Sequence, residues 1–279
     1  MSLQDRFPAI AELMHGIPTD KTLAFVDLWG TTAQIDKYTQ SGDILDIGNM
    51  TQIQGRFSSI LATIAKNNPS FEVIQASDGA MIVAEDPNVL LEQVQIMFVY
   101  LSISAGRFQF IPLRAALSKG VHGIHKNTGN LKGITNFQFL PYLGSAFVKV
   151  AKMEKSWPKG MRIFVTEAVK NSLSAQAGFM LGDEPVETVK VIAHGEEPFF
   201  EVNWLGQMGP NNLPIFRAQV GAEFLSRARV WTDKGDRYQK ELGQSILDYG
   251  AWALTNTYLR PERAWLDRLK LKEWQIIFS

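Results

Sequence analysis

Two aspartates stand where a carboxylate can reach a ligand. Asp27 closes the apolar run KTLAFVD, and Leu28-Trp29-Gly30-Thr31-Thr32 follows it. An apolar run ended by a glycine-containing turn reads as a buried strand leading into a helix. A carboxylate at such a strand end faces a cleft. The N–H groups of Gly30, Thr31 and Thr32 stand at a helix start, where the dipole suits a phosphate. Asp78 lies in Ala76-Ser77-Asp78-Gly79 between two short apolar runs, and reads as the tip of a hairpin. If that hairpin pairs beside the first strand, the two carboxylates converge. Two hard oxygen ligands plus phosphate oxygens suit Mg2+ or Mn2+. Each aspartate alone also has an ordinary structural explanation, as a local cap or as part of an Asp-Gly turn.

His122 and His125 have an i,i+3 spacing but lie in a Gly/Lys/Asn-rich stretch without nearby acids. That context predicts a solvent-facing loop rather than a metal pair. His194 falls in a hairpin turn. The chain has no cysteine, which excludes disulfides, cysteine-based zinc sites and thiol catalysis.

The elements that must position these residues can be read in outline. After the first strand, a helical pattern interrupted at Gly42 and Gly48 runs to about Ala65, where Asn67-Asn68-Pro69 stops it. Strands at 71–75 and 80–84 flank the Asp78 turn. Asp86-Pro87 caps a helix running to about Ser104. A strand at 111–118 carries Arg114, and a polar, glycine-rich loop follows over 120–133. A helix over 142–155 places Leu143, Phe147, Val150 and Ala151 on one side. A strand at 162–165 precedes a short helix capped by Thr166, and a hairpin of 186–192 and 199–204 turns at His194-Gly195. This order predicts an α+β fold with a mostly antiparallel sheet, because the hairpins interrupt any regular strand–helix alternation.

The texture changes at Pro210–Pro214, and a long helical pattern covers 237–259. The expected division is an N-terminal segment 1–19, a main domain 20–208 and a helical C-terminal extension 209–279. Trp231, Trp252, Trp265 and Trp274 are expected to pack that extension on the core or on a second subunit.

The 279 residues are 46% hydrophobic and 20% charged, enough for a sizeable core. Lysine plus arginine and aspartate plus glutamate both total 28, so no net charge favours bulk nucleic acid or an acidic membrane surface. The first residues lack the pattern of a signal peptide, and no apolar stretch reads as a membrane span. The expectation is a cytoplasmic protein with no nucleic-acid partner and no direct membrane contact.

Five segments, in order, resemble signatures of class III nucleotidyl cyclases. AFVDLWGTT resembles their first strand, an Asp followed three residues later by Gly. QASDGAMIVAED resembles their Asp hairpin, and PLRAALSKGV their Leu-Arg-x-Gly-x-His-x-Gly strand. LGSAFVKVAKME resembles the helix Gly-x-x-Val-Asn-x-Ala-x-Arg-Leu, and KGMRIFVTEAV the strand Pro-Gly-x-Ile-x-Val-Ser-x-x-Val. The likeness covers about residues 20–205. Within the superfamily the chain is most similar to the pyrimidine cyclases of the Pycsar anti-phage systems.

The resemblance implies a ferredoxin-like sheet flanked by helices, two Mn2+ or Mg2+ ions per site, and a homodimer with each site shared between chains. Asp27 and Asp78 match the metal-binding aspartates, and Leu28 the position that adds a carbonyl ligand. Gly30, Thr31 and Thr32 match the phosphate turn, and Arg114 an arginine that approaches the phosphates. The position of the purine-reading lysine is Ile74, and that of its partner acid is Pro141. Neither side chain can hydrogen-bond a purine edge, which favours a pyrimidine base. Tyr142 either stacks on that base or packs in the core. The transition-state Asn and Arg fall on Val148 and Lys152; Lys152 either serves as a point charge in place of the Arg or is an exposed helix charge.

The implied activity is that of a lyase converting UTP to cyclic UMP and pyrophosphate, a signal to a separate effector protein in antiviral defence. CTP giving cyclic CMP is the alternative substrate. A catalytically inactive nucleotide- or partner-binding module is the alternative from another class.

Overall fold

The computed structural model describes residues 19–28, 31, 36, 39–40, 42, 44–104, 113–124, 142–143, 145–156, 160–174, 189–194, 197–202, 204 and 225–255.

Strand β1 (Thr19–Leu28) sets the two faces of the molecule. Side chains alternate across a strand, so Ala24, Val26 and Leu28 point one way and Leu23, Phe25 and Asp27 the other. Both sets are apolar apart from Asp27, as expected for a strand covered on both sides. The strand pairs antiparallel with β3 (Gly79–Ala84) on one edge and with β4 (Leu113–Ile124) on the other. β2 (Glu72–Ala76) pairs antiparallel with β3 through the Ser77-Asp78 turn. Beyond β4 lie β6 (Ile163–Thr166), β8 (Glu197–Val202) and β7 (Val189–His194), giving the order β2-β3-β1-β4-β6-β8-β7. β4–β6 is the one parallel pairing among the described strands. The sheet is therefore mostly antiparallel.

One face carries helices α1 (Ile44–Asn67) and α2 (Pro87–Ser104). Phe57, Leu61 and Ile64 of α1, at helical spacing, and Leu90, Val94, Met97 and Leu101 of α2 meet Ala24, Val26, Ile82 and Leu117 in the main core. The other face holds a smaller cluster in which Ala146 and Val150 of α3 (Ser145–Ser156) cover Leu23, Met81, Ala116 and Phe164. Asp27 belongs to this second face. A short helix α4 (Glu167–Lys170) follows β6. Thr166 stands at its N-cap position, but its side chain makes no capping hydrogen bond.

Residues 225–234 form a helix, α5, and Arg237–Thr255 form α6. Leu225, Ala228, Leu242, Ile246 and Tyr249 join the main core. Trp204, fully buried, stacks on Tyr249 with centroids 5.8 Å apart and meets the Phe98 ring edge-on. Its indole N–H donates to the Met161 carbonyl at 3.0 Å.

Four local expectations change. β4 runs on to Ile124, through residues read from sequence as the start of a loop, because the long β1 continues the ladder as far as Thr19↔His122. Gly120 there is a point of close approach: a Cβ would collide with the Ser145 hydroxyl. His122 is thus a strand residue, while His125 lies outside the described residues. Tyr142 and Leu143 form a short strand β5 against Ile124 and Gly123, so α3 begins only at Ser145. Gly48 lies inside α1 rather than interrupting it. The late hairpin turns after His194, which pairs with Glu197.

Candidate active site

In register, Asp27 lies between Gly79 of β3 and Arg114 of β4. Cross-strand partners share a face, so the Arg114 side chain lies against the Asp27 carboxylate. Arg114 Nε donates to Asp27 Oδ2 at 2.8 Å, and Nη2 reaches the same oxygen at 2.7 Å. Asp27 is 9% exposed, so little of the carboxylate is hydrated and the guanidinium supplies its counter-charge.

Gly79 shapes the other side. A Cβ on it would stand 3.2 Å from the Phe25 ring and 3.7 Å from Asp27 Oδ1. Glycine here lets the Phe25 ring pack closely on the β3 backbone beside that oxygen. The adjoining turn is tight, with Ser77 in the left-handed region at φ 59°. The Leu28 N–H donates to the Asp78 carbonyl at 2.9 Å and fastens the hairpin tip to the end of β1. The half-buried Asp78 therefore sits beside the strand end that carries Asp27. Thr31 Oγ1 donates to the Leu28 carbonyl at 3.0 Å.

The fold thus brings together Asp27, Asp78, the Leu28 carbonyl, Thr31 and Arg114. Gly30 and Thr32 lie outside the described residues. Among the described residues no three His, Cys, Asp or Glu side chains gather into a metal cluster. A cation between Asp27 and Asp78 would complete its shell from carbonyl, water and phosphate oxygens. Mg2+ and Mn2+ accept that arrangement, since both favour hard oxygen donors and Mg2+ keeps several waters. The chemistry of the donor set, two carboxylates and a backbone carbonyl, fits such an ion.

Ile74 is half-buried on β2 and lies opposite Met81, which lies opposite Phe25, which lies opposite Ala116. This apolar row crosses the same face one step from the Asp27–Arg114 row. It offers no side-chain hydrogen-bonding group.

Tyr142 is elsewhere. It pairs with Ile124, ten residues along β4 from Arg114, a span of roughly 30 Å at strand rise. Within one chain Tyr142 and Asp27 stand at opposite ends of that strand. On α3, Val148 is 51% exposed. Lys152 lies one turn further along the same helix.

A second charged pair was not legible in the sequence. Arg162 Nη1 contacts both oxygens of Glu201 at 3.1 and 3.2 Å, and Nη2 donates to the Ser245 carbonyl of α6 at 3.3 Å. Arg162 also lies over the Tyr249 ring, 5.9 Å from its centroid. Its carbonyl accepts the Ala115 N–H at 3.0 Å, one residue from Arg114. The available signal was parity: Glu201 is an acid at a position of β8 facing the same side as Phe199.

No protein-family model matches this chain, and no curated protein matches it by sequence. Solved structures do share its fold. The crystal structure of the guanylyl cyclase Cya2 aligns with a TM-score of 0.50 at 15% identity, over 72% of this chain and 98% of that one. An adenylate cyclase from Trypanosoma brucei in its monomeric state aligns at 0.46 and 14% identity, over 70% of this chain and 91% of its own. The adenylyl cyclase CyaB from P. aeruginosa gives 0.45 and 12%, over 67% of this chain and 96% of its own. Among the described helices none is long and apolar enough to cross a membrane. The chain has the α+β fold of nucleotidyl cyclase catalytic domains.

Proposed function

We propose that the chain is a nucleotidyl cyclase acting on a pyrimidine nucleoside triphosphate, UTP in preference to CTP. The observation that carries this reading is the meeting of Asp27 and Asp78 at the end of β1, beside an apolar row rather than a purine-reading one. Divalent cations held by the two aspartates and the Leu28 carbonyl would supply charge neutralisation at the phosphates and acidity to the ribose 3′-OH.

The residues' own tasks follow from their positions. Asp27 and Asp78 present negative charge to the metal–triphosphate unit at one strand end. The turn after β1, including Thr31, would offer N–H groups to the β- and γ-phosphates. Arg114 offers a planar fork to a phosphate oxygen. The 3′-oxygen forms a bond to the α-phosphorus, the bond to pyrophosphate breaks, and the 3′-OH proton leaves to solvent. The work is positioning and charge neutralisation, so no His or Cys nucleophile is required.

A homodimer supports the chemistry. With Tyr142 at the far end of β4, a base-stacking role for it requires the partner chain. The exposed Val148 and the following turn with Lys152 would then face the partner's Asp27. Cytoplasmic cyclic UMP serving a separate effector in anti-phage defence is the role the sequence resemblance supports. The competing reading, a non-catalytic nucleotide-binding module, is favoured by Val148, an exposed apolar residue where a transition-state donor would stand.

The test is incubation of the purified protein with each of four ribonucleoside triphosphates and Mn2+, with products identified by mass spectrometry. Cyclic UMP is the expected product. Cyclic AMP or GMP would overturn the pyrimidine assignment, and no cyclic product from any substrate would favour the module.

A further inference from the structure

The Asp27–Arg114 contact has an unusual economy: two guanidinium N–H groups converge on one carboxylate oxygen, Oδ2. The other oxygen, Oδ1, lies on the Gly79 side, towards the Asp78 turn. The two oxygens thus face different surroundings. A carboxylate that bridges two cations uses both oxygens, and a guanidinium on one of them competes directly with a cation there.

We infer that Arg114 is a gate on metal loading, holding Oδ2 in the nucleotide-free protein and releasing it when a triphosphate offers the guanidinium another anionic partner. The inference rests on the reading of Asp27 as a metal ligand. Three features of the structure support it. Arg114 comes from the strand next to Asp27 in exact register, so the contact is set by the sheet and not by a mobile loop. Its side chain is 22% exposed, against 13% for Asp27, so it borders solvent. Phosphate oxygens accept the same two-pronged donor geometry as a carboxylate, so exchanging one partner for the other leaves no N–H group without an acceptor. The consequence is order: full use of Asp27 by cations follows the arrival of the nucleotide. Metal bound in the absence of substrate is thereby kept below the site's capacity.

The experiment uses the full chain and Mn2+ alone, with no nucleotide, so turnover plays no part. Free Mn2+ is counted by electron paramagnetic resonance during titration of the wild type, Arg114→Gln, Arg114→Lys, Asp27→Asn and the Arg114→Gln/Asp27→Asn double variant. Removing a positive charge at hydrogen-bond distance from the binding oxygen should tighten Mn2+ binding by roughly tenfold or more. Arg114→Lys, which keeps a charge without the fork, should fall between, and it carries the test if Arg114→Gln does not fold. The double variant should lose the gain. In parallel, Mn2+ should raise the unfolding temperature of Arg114→Gln more than that of the wild type. Equal or weaker Mn2+ binding by both Arg114 variants, with binding still lost in Asp27→Asn, would overturn the gate and leave the metal site standing. Binding unchanged by Asp27→Asn in either background would overturn the metal assignment itself.

Discussion

Two arginine–carboxylate pairs stand on neighbouring strands of one sheet, and they are built for opposite ends. In the Asp27–Arg114 pair both partners keep some contact with solvent, with side chains 13% and 22% exposed. In the Arg162–Glu201 pair the carboxylate is 1% exposed and the guanidinium 12%. The first lies at a strand end beside a hairpin tip. The second is closed over by α6, whose Ser245 carbonyl accepts from Nη2 and whose Tyr249 ring lies beside the guanidinium. A charge pair that can exchange partners suits binding. A pair that is sealed holds one arrangement, here the seat of α6 on the sheet.

The comparison breaks most visibly at Asp27. On the proposed function, Asp27→Ala should cut turnover by about 10³-fold or to below detection, since it removes a carboxylate that would hold a cation at the reacting phosphates. Stability should move little, because the freed Arg114 can be hydrated. Mass spectrometry of the product and a denaturant curve on the same sample check both halves. Turnover close to wild type would remove Asp27 from the site.

Glu201→Ala should reverse that pattern. It leaves Arg162 half-sealed without its counter-charge, and breaking such a buried pair costs about 3–5 kcal/mol. Urea unfolding measures it. A change below about 1 kcal/mol would show that water reaches Arg162 freely and that the two pairs are alike. A third change sharpens the point. Arg162 Nε is buried without a hydrogen-bond partner among the described residues. Replacing the pair by Arg162→Met with Glu201→Leu removes both charges and this unsatisfied donor together. It should recover most of the loss, to within roughly 1–2 kcal/mol of wild type. On the proposed function no comparable swap should preserve activity at Asp27 and Arg114, whose charges would serve the ligand.

The two pairs also differ in how far the sequence reveals them. Asp27 and Asp78 announce themselves locally, one ending an apolar run and the other in an Asp-Gly turn, and the hairpin pairs beside β1 as its position suggested. The ion pair with Arg114 joins residues 87 positions apart. It depends on strand order and register, which local patterns do not carry. The same holds for Tyr142. The apolar pattern of 142–155 is continuous with α3, yet pairing with β4 draws its first two residues into a strand. Gly120 misleads for a related reason: a glycine chosen for close packing against Ser145 looks like one chosen for a turn. The helix at 225–234 went unread, although Leu225, Ala228 and Trp231 recur at three-residue spacing and pack on the core. The fold's antiparallel character could be seen from the hairpins alone, whereas the seal over Arg162 needs α6, forty or more residues downstream of β8, to be in place.

The smallest effect tests how that seal is made. The Tyr249 hydroxyl accepts the Trp204 backbone N–H at 3.0 Å and donates to the Val202 carbonyl at 3.2 Å. One oxygen thus serves two buried backbone groups at the point where the chain leaves β8. Tyr249→Phe keeps the ring that stacks on Trp204 and lies beside Arg162, and removes only this oxygen. Two hydrogen bonds are lost but neither backbone group is orphaned, because the Trp204 N–H also donates to the Val202 carbonyl at 2.9 Å. The expected loss is about 1–2 kcal/mol by urea unfolding, well below that of Glu201→Ala. A loss as large as that of Glu201→Ala would move the main anchor of α6 from the ion pair to the tyrosine. Nucleotide-free Mn2+ binding should be unaltered, because the hydroxyl contacts Trp204 and Val202 at the end of β8 and not Asp27.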